Sequence, residues 1–253
     1  MQRAAITAWE TRSMRLWPTL EQANLDGWVL RAARGYTKRA NSIYPLSNAN
    51  RPMDDHVAAC QAWCAARNLP VVFKLTHAAP PGLDALLVAQ GYGRVDPSVV
   101  MTCPLQAGQH PMSPDIKIDD SDANWLLAFK ELTALPLSGV NLLQAMLQNL
   151  STATPDTQIG YATLWQDQQV VACALGVIQD GVLGVFDLIV SSEQRGHGFG
   201  RQLLQGVLAW GAAAQAHTAF LQVISANTAA RHLYAELGFT EQYEYWYRAK
   251  PVA

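Results

Sequence analysis

The hydrophobic pattern in the second half of the chain predicts a regular succession of strands. Three nearly continuous apolar runs, at 159–165, 169–178 and 181–190, are separated by the short polar segments Gln-Asp-Gln and Gln-Asp-Gly. Apolar runs of this length between tight turns are typical of strands that are buried on both faces. Alternating or short apolar segments predict further strands, which lie at 115–120, 218–224 and 241–248.

Helical periodicity occupies the remaining intervals of this half. Two helices are predicted at 121–135 and 138–150, the first with Ser121 or Asp122 as its cap. A third follows at 201–214, and a fourth at 227–237 ends at Gly238. The order strand, two helices, three strands, helix, strand, helix, strand predicts an α/β fold. The inner faces of the last two helices are predicted to consist of Leu203, Leu204, Val207, Leu208 and Gly211, and of Ala230, Leu233 and Leu237.

The first half repeats part of this pattern when the chain is shifted by 147 residues without gaps. Helix, strand, helix, Gly-aromatic and strand then follow in the same order in both halves. We interpret the chain as two copies of one α/β unit, 1–110 and 111–253, with the boundary in the Pro- and Gly-rich segment 103–115. Chance matching of apolar positions is the alternative. The coinciding pairs include Trp63 with Trp210, Phe73 with Phe220, Leu86 with Leu233, and Gly91 with Gly238.

Composition and charge exclude several classes of function. Half of the 253 residues are hydrophobic and only 15% are charged, so the chain can bury a substantial core. The formal net charge of −2 gives no general attraction to nucleic acid or to an anionic membrane. No apolar run is long enough to span a bilayer, and charges interrupt the N-terminal segment. We expect a cytoplasmic monomer or homodimer that binds neither membranes nor nucleic acid.

The four cysteines are expected to pack in the core. Cys60 and Cys64 lie four residues apart on a helical pattern, and no second ligand pair follows at zinc spacing. We therefore expect no metal site, although a disulfide or a metal remains the alternative for this pair. Cys173 lies in an apolar strand without an evident base, so no nucleophilic role is assigned to it.

The segment Asp-Leu-Ile-Val-Ser-Ser-Glu-Gln-Arg-Gly-His-Gly-Phe-Gly-Arg, 187–201, places a glycine-rich turn between a predicted strand and a predicted helix. Glycine allows close approach of a ligand, and a helix N-terminus presents unpaired N–H groups. A glycine-rich turn that leads into a helix therefore favours a phosphate site. Arg195 and Arg201 flank the turn and could pair with the phosphate. A tight connection without a ligand is the alternative. Neither a Walker loop nor a dinucleotide fingerprint matches this spacing.

The turn resembles the Q/R-x-x-G-x-G/A signature of the GNAT superfamily of N-acetyltransferases, with Arg195, Gly198 and Gly200 at its fixed places. The segment 227–239 is similar to the helix that follows in that family, with its Asn, its Tyr and the closing Gly-Phe. The chain also resembles a bacterial tandem-GNAT subgroup. This resemblance implies a mixed, mostly antiparallel sheet flanked by helices, in two tandem GNAT-like halves.

The resemblance also implies acetyl-CoA as the acyl donor. The pyrophosphate would bind the turn, the pantetheine arm would add to the end of the 181–190 strand, and Asn227 would hydrogen-bond the cofactor. Tyr234 would lie near the sulfur and protonate the leaving thiolate. The implied cofactor-binding residues are Leu188, Ile189, Val190, Arg195, Gly196, His197, Gly198, Phe199, Gly200, Arg201 and Asn227.

Asp187 is the first candidate for binding or deprotonating the acceptor amine. A carboxylate inside an apolar run is costly to bury unless it is paired or faces a cavity. A structural hydrogen bond to a neighbouring loop is the alternative, and Glu131 is the second candidate for the base. A backbone N–H near Ile189 or Val190 would stabilise the carbonyl oxygen during direct attack by the amine.

The first half lacks the glycine turn and the residues implied to bind the cofactor, and it is expected to bind no CoA. Pro80 and Leu87 occupy the positions that correspond to Asn227 and Tyr234. We expect a polar strand at 36–42, from which Arg39 and Asn41 face the acceptor or are simply solvated. The leading hypothesis is N-acetylation of a small amine, such as an amino acid. A protein lysine acetyltransferase, a non-catalytic acyl-CoA-binding module and a structural scaffold are the alternatives.

Overall fold

The computed structural model describes residues 1–48, 50–153 and 156–250, and these fall into two compact units. Unit 1 comprises Met1–Val100, Ile224–Asn227 and the chain from Gln242 onward, and unit 2 comprises Met101–Val223 and Thr228–Glu241. These units are defined by compactness, whereas the halves 1–110 and 111–253 were predicted from a sequence repeat. The two halves therefore stay a prediction.

Helices and strands alternate along the whole described chain. The helices are α1 Arg3–Leu16, α2 Met53–Ala65, α3 Leu83–Ala89, α4 Ala123–Thr133, α5 Leu137–Ala153, α6 Phe199–Ala213 and α7 Thr228–Glu236. The strands are β1 Glu21–Leu25, β2 Trp28–Ala32, β3 Ile43–Pro45, β4 Val72–Thr76, β5 Gly93–Pro104, β6 Ile116–Asp119, β7 Gln158–Gln166, β8 Gln169–Gln179, β9 Val182–Val190, β10 Thr218–Ile224 and β11 Thr240–Ala249.

Unit 1 is built on strands in the order β1-β2-β3-β4-β11-β5. The β1–β2, β2–β3 and β4–β11 pairs are antiparallel, and β3–β4 is parallel. Its core is aromatic: Phe73 meets Trp28 and Tyr92 edge to face, with ring centroids 6.2 and 5.5 Å apart. Edge-to-face contacts of this kind add to the stabilisation from burial alone.

A buried polar network anchors the C-terminal strand in unit 1. The Nζ of Lys74 lies 3.0 and 2.7 Å from the two carboxylate oxygens of Glu10, and both residues are almost fully buried. Tyr243 of β11 donates its hydroxyl to the same carboxylate at 2.8 Å. The ammonium group also lies 3.9 Å from the ring centre of Tyr245. Since a buried charge without partners is strongly destabilising, this network selects the position of β11 beside β4.

Unit 2 confirms the expected architecture of the second half. Strands β6 to β9 form an antiparallel meander, and β10 pairs with β9 in parallel, in the order β10-β9-β8-β7-β6. The predicted inner face of α6, from Leu203 to Gly211, is buried. The fold class is therefore confirmed as α/β with a mixed, mostly antiparallel sheet flanked by helices.

Two glycines in neighbouring strands allow a tryptophan to lie directly on the sheet of unit 2. Gly160 of β7 and Gly176 of β8 are register partners. A Cβ at Gly160 would lie 2.9 Å from the ring of Trp210, and one at Gly176 would lie 2.8 Å from it. Because neither glycine has a side chain, the ring of Trp210 of α6 packs directly against the backbone of these two strands.

The element order of the first half follows that of the second at the offset of 147 residues. Helices α2 and α3 correspond to α6 and α7, and strands β4 and β5 correspond to β10 and β11. Gly91 and Gly238, which coincide, have φ values of 84° and 88°. These correspondences agree with duplication, which stays a prediction because shared element order alone does not demonstrate it.

The predicted polar strand at 36–42 is wrong. Residues Lys38–Ala40 form a turn of 3-10 helix. Asn41 is buried, and its side-chain oxygen accepts hydrogen bonds from the N–H groups of Ala33 and Gly35 at 2.7 and 2.9 Å. Arg39 lies over the ring of Trp17 at 4.7 Å. Side-chain to backbone bonding of this kind competes with strand pairing, and Asn41 has a structural role in this turn.

All four cysteines are free and buried, as expected for core residues. Burial raises the pKa of the Cys60 thiol to about 12 and that of Cys64 to about 11. Across the described residues, no helix is both long and apolar enough to cross a membrane.

Replacing Gly160 by Ala is expected to destabilise the protein by about 1–3 kcal/mol, because the new methyl group would overlap the Trp210 ring. Gly93→Ala in β5 is the matched control. A Cβ there meets its nearest atom at 3.7 Å, so a change within about 0.5 kcal/mol is expected. Urea unfolding followed by circular dichroism measures both, and equal effects of the two substitutions would contradict the close packing.

Candidate functional site

A bulge distorts β9 where the candidate base lies. The register runs from Cys173↔Ile189 to Leu175↔Phe186, so that Ala174 alone faces both Asp187 and the following leucine. Asp187 has a φ of 48°, a left-handed conformation that Asp tolerates better than most residues. Bulges bend their strand and redirect side chains. The bulge explains why residues 187–190 are only half-buried, whereas 182–186 are buried.

Trp125 of α4 stabilises the strand opposite this bulge. Its Nε1–H donates a hydrogen bond of 2.8 Å to the carbonyl oxygen of Ala174, and the tryptophan is 1% exposed. Its ring stacks on Phe129 with centroids 4.9 Å apart. A buried carbonyl without a partner is costly, and the indole supplies a partner for that of Ala174. The sequence analysis assigned no role to Trp125, since nothing in a helical apolar pattern identifies a distant carbonyl as partner.

Strands β9 and β10 diverge beyond the middle of β9. Their parallel pairing comprises Thr218↔Val182, Ala219↔Leu183 and Phe220↔Gly184. Both strands continue past this point, β9 as far as Val190. The last residue of β9 that pairs with β10, Gly184, precedes the bulge at Asp187, and from there the sheet is open between these strands toward the carboxyl end of β9. An extended chain of amides could add there as a strand.

The glycine turn at 195–201 begins directly beyond this opening. Gly196 and Gly198 have φ values of 83° and 82°, which favour glycine. A Cβ at either position would meet nothing within 4 Å, so the space beside the turn is open. The first bond into α6 runs from the N–H of Gln202 to the carbonyl of Gly198 at 3.0 Å. The N–H groups of the preceding helical residues are therefore available to an anion.

Gly200 brings the turn, the end of β9 and α7 together. A Cβ at Gly200 would lie 3.4 Å from the Cγ2 of Val190 and 3.7 Å from the Cδ2 of Leu233. Tyr234 follows Leu233 directly in α7. The structure thus collects the predicted turn, the bulged strand and the helix of Tyr234 at one end of unit 2.

The charges around the turn are exposed. Arg201 forms an ion pair with Glu236 of α7, and Glu236 also lies 3.3 Å from the ring of His232. Arg195 and His197 are exposed, and the His197 ring lies 6.1 Å from that of Phe199. An exposed ion pair contributes little free energy, so Arg201 can exchange its partner for a phosphate.

Tyr234 is half-buried, and no other described residue hydrogen-bonds its hydroxyl. Burial raises the pKa of this phenol to about 12. The ring lies 6.0 Å from Phe239. The predicted inner face of α7 is less enclosed than expected, since Ala230 and Leu233 are half-buried and only Leu237, beyond the helix end, is buried. The hydroxyl is left available to a ligand.

The other predicted residues lie in various surroundings. Asn227 occupies the exposed turn before α7, in the segment that belongs to unit 1, and its role stays a prediction. Glu131 is exposed in the last turn of α4. Cys173 is fully buried, and burial followed by the nearby Asp187 carboxylate raises its pKa, which disfavours a thiolate.

The chain is similar to known acetyltransferases over nearly its whole length. It matches the family described as "Probable histone acetyltransferase Rv0428c C-terminal" over residues 3–248. The uncharacterized N-acetyltransferase YobR of Bacillus subtilis is 26% identical over 239 residues, 92% of this chain and 94% of that protein. The probable histone acetyltransferase Rv0428c of Mycobacterium tuberculosis is 27% identical over 242 residues, 94% of this chain and 72% of that protein.

Solved structures share the fold. The structure of a GCN5-related N-acetyltransferase from Kribbella flavida matches with a TM-score of 0.66 at 17% identity, and the match covers 99% of this chain and 96% of that one. At this level of identity the likeness concerns the fold, and it includes the strands and helices that surround the glycine turn.

Replacing Trp125 by Phe is expected to lower the free energy of unfolding by about 1–3 kcal/mol, because the buried Ala174 carbonyl loses its donor. Trp246→Phe is the matched control. The Nε1–H of Trp246 bonds Asp84, whose carboxylate keeps two hydrogen bonds from Arg248. Denaturant unfolding should therefore show a smaller loss for Trp246→Phe, and a reversed order of the two would contradict the role of Trp125.

Proposed function

Because the chain belongs to the family described as probable histone acetyltransferase Rv0428c C-terminal, and is therefore an N-acetyltransferase of the GNAT superfamily, we propose that it transfers an acetyl group from acetyl-CoA to the primary amine of a small molecule. The observation that carries this proposal is the junction of the β9 bulge with the glycine turn. The bulge and the part of β9 that does not pair with β10 lead directly to the open glycine turn, and Tyr234 lies in the helix that approaches Gly200 at that junction.

The residues at this junction fit acetyl-CoA. Gly196 and Gly198 leave open space in front of the N-terminus of α6, where amides can hold a pyrophosphate. Arg195 is exposed beside them and carries a compensating charge. The divergence of β9 from β10 provides a place for the extended pantetheine amides at 188–190. In this proposal Asn227 adds a hydrogen bond, as the sequence resemblance implies.

Acetyl-CoA supplies an activated acyl thioester, so the protein has to position groups and move protons. A backbone N–H near Ile189 or Val190 donates to the thioester carbonyl oxygen. Tyr234 donates its proton to the departing sulfur, and its pKa of about 12 keeps the hydroxyl protonated at neutral pH. Direct attack by the amine requires no covalent intermediate on the protein.

We propose Asp187 as the residue that binds or deprotonates the acceptor amine. It lies in the bulge of β9 and is half-buried. A carboxylate there attracts the ammonium form of the acceptor and receives its proton directly or through water. One carboxylate at the opening suits one amino group of a small acceptor, such as an amino acid.

Acetylation of protein lysines is the second candidate. The description of the family and of the mycobacterial relative as probable histone acetyltransferases favours it. The two candidates share the chemistry at the amine and differ in what surrounds it.

Thiol release from acetyl-CoA tests the proposal across a panel of amino acids, aliphatic amines and a lysine-containing histone peptide. Saturable release with a free amine, and none with the peptide, is the expected result. Release with the peptide alone would assign the enzyme to protein lysines. No release with any acceptor, despite tight CoA binding, would favour an acyl-CoA-binding module.

Replacing Gly198 by Val is expected to abolish CoA binding, because the side chain would fill the space beside the turn. Strain at a φ of 82° should also cost about 1–3 kcal/mol. Gly82→Val is the matched control, since Gly82 has a φ of 85°, precedes α3 and also has open space around it.

Calorimetric titration with CoA compares these two variants with the unaltered protein. The unaltered protein and Gly82→Val should each bind one CoA per chain. Unchanged binding by folded Gly198→Val would remove the turn from the cofactor site. Two equivalent CoA sites would contradict the expectation that the first half binds none.

Replacing Tyr234 by Phe is expected to lower turnover about 100-fold or more, which is typical of losing a general acid. CoA affinity and thermal stability should remain near normal, because the hydroxyl bonds no other described residue. Single-turnover rates measured where chemistry is limiting check this prediction. Turnover equal to that of the unaltered enzyme would exclude Tyr234 from the mechanism.

A further inference from the structure

A second recess lies at the other end of unit 2. A cavity of about 650 Å³ opens where β6 ends and β7 begins. This is the end of the sheet at which β9 starts, since Ile178 of β8 pairs with both Gln158 and Leu183. The bulge and the glycine turn lie at the opposite end of β9. The groups lining the cavity therefore take no part in the proposed acetyl transfer.

The position of Trp210 gives a measure of this separation. Trp210 lines the cavity and lies eleven residues after Phe199, which begins α6 at the glycine turn. At 1.5 Å per residue, Phe199 and Trp210 are about 16 Å apart along the helix. A molecule held in the cavity by its charged group is too distant to react at the turn.

The lining of the cavity is acidic. Asp119, Asp120 and Asp122 contribute three carboxylates, and Gln148 and Gln158 add amide groups. Within the described parts of the chain the lining includes no Lys, Arg or His. The cavity thus favours a cation, although a cluster of carboxylates on its own is common on protein surfaces.

Tyr161 provides an independent indication of a ligand. The side chain is only 6% exposed, yet it lines the cavity. None of the residues that the structure describes hydrogen-bonds its hydroxyl. The hydroxyl oxygen itself remains accessible at the cavity, so a bound molecule can serve as its partner. Burial, followed by the charge of Asp122, raises its pKa to about 12, so the hydroxyl stays neutral and can donate or accept.

Two aromatic side chains complete the lining. Trp210 is held against the sheet by the glycine pair of β7 and β8, and it faces the same cavity as Tyr161. Aromatic faces attract alkylammonium groups and pack well against aliphatic chains. Among the described residues, no group of three or more His, Cys, Asp or Glu side chains is arranged to hold a metal ion. The arrangement therefore suits an organic cation better than a bare metal.

We propose that this cavity binds a small aliphatic amine in its ammonium form, with the charge at Asp119, Asp120 and Asp122 and the alkyl chain against Trp210 and Tyr161. The site is separate from the acetyl-transfer site and does not depend on the proposed function.

Calorimetric titration with 1,5-diaminopentane tests the proposal, with 1,5-pentanediol as the neutral counterpart. Saturable binding of the diamine and none of the diol is expected. The double substitution Asp119→Asn with Asp120→Asn should weaken binding at least 10-fold. Asp167→Asn is the matched control, because Asp167 is exposed in the turn between β7 and β8 and carries the same charge. No saturable binding, or equal affinity in the double variant, would overturn the proposal.

Two further titrations distinguish binding in this cavity from binding at the acetyl-transfer site and from recognition of a peptide lysine. The Gly198→Val protein should bind the diamine like the unaltered protein, and loss of binding there would place the amine at the acetyl-transfer site instead. A lysine side chain carries the same ammonium group, so Nα-acetyl-lysine N-methylamide is titrated in parallel. Tighter binding of that compound than of the diamine would assign the cavity to a peptide and overturn the assignment to a free amine.

Discussion

The bulge in β9 is the constraint on which the proposed chemistry of unit 2 depends. One residue of β8, Ala174, faces two of β9, and the register beyond it shifts. The pairing of β9 with β10 ends at Gly184, shortly before the bulge, so the irregular backbone and the open part of the sheet occupy the same half of β9. Trp125 stabilises this geometry by donating a buried hydrogen bond to the carbonyl oxygen of Ala174.

The two halves of the chain differ at the helix that follows the turn. Before α6 lies Gly198, with a φ of 82° and open space around it, whereas Pro52, with a φ of −51°, lies before α2. A glycine turn can curve its amides toward one anion, and a proline contributes no N–H at all. Similar element order is thus compatible with a phosphate site in the second half and none in the first.

Unit 2 has chemically opposite ends. Exposed Arg195 and the amides of the turn lie at the carboxyl end of β9, and the three carboxylates of the cavity lie at its amino end. Helix α6 connects them, with Gly200 packed at one end and Trp210 at the other. Under the two proposals, the anionic cofactor and the cationic ligand would bind at opposite ends of the unit.

The sequence by itself determined the elements of the second half and, through the glycine turn, the family that the chain resembles. Local patterns decide these: the apolar runs 169–178 and 181–190 are strands, and the spacing of Arg195, Gly198 and Gly200 is readable without coordinates. The prediction of a strand at 36–42 was wrong because Asn41 accepts hydrogen bonds from the N–H groups of Ala33 and Gly35. No periodic pattern in the sequence indicates that these positions interact. Only the tertiary structure decided the bulge, the partner of Trp125 and the cavity beside Tyr161. Each of these arises from groups far apart in the chain, whose distances are set by packing and not by the local order of residues.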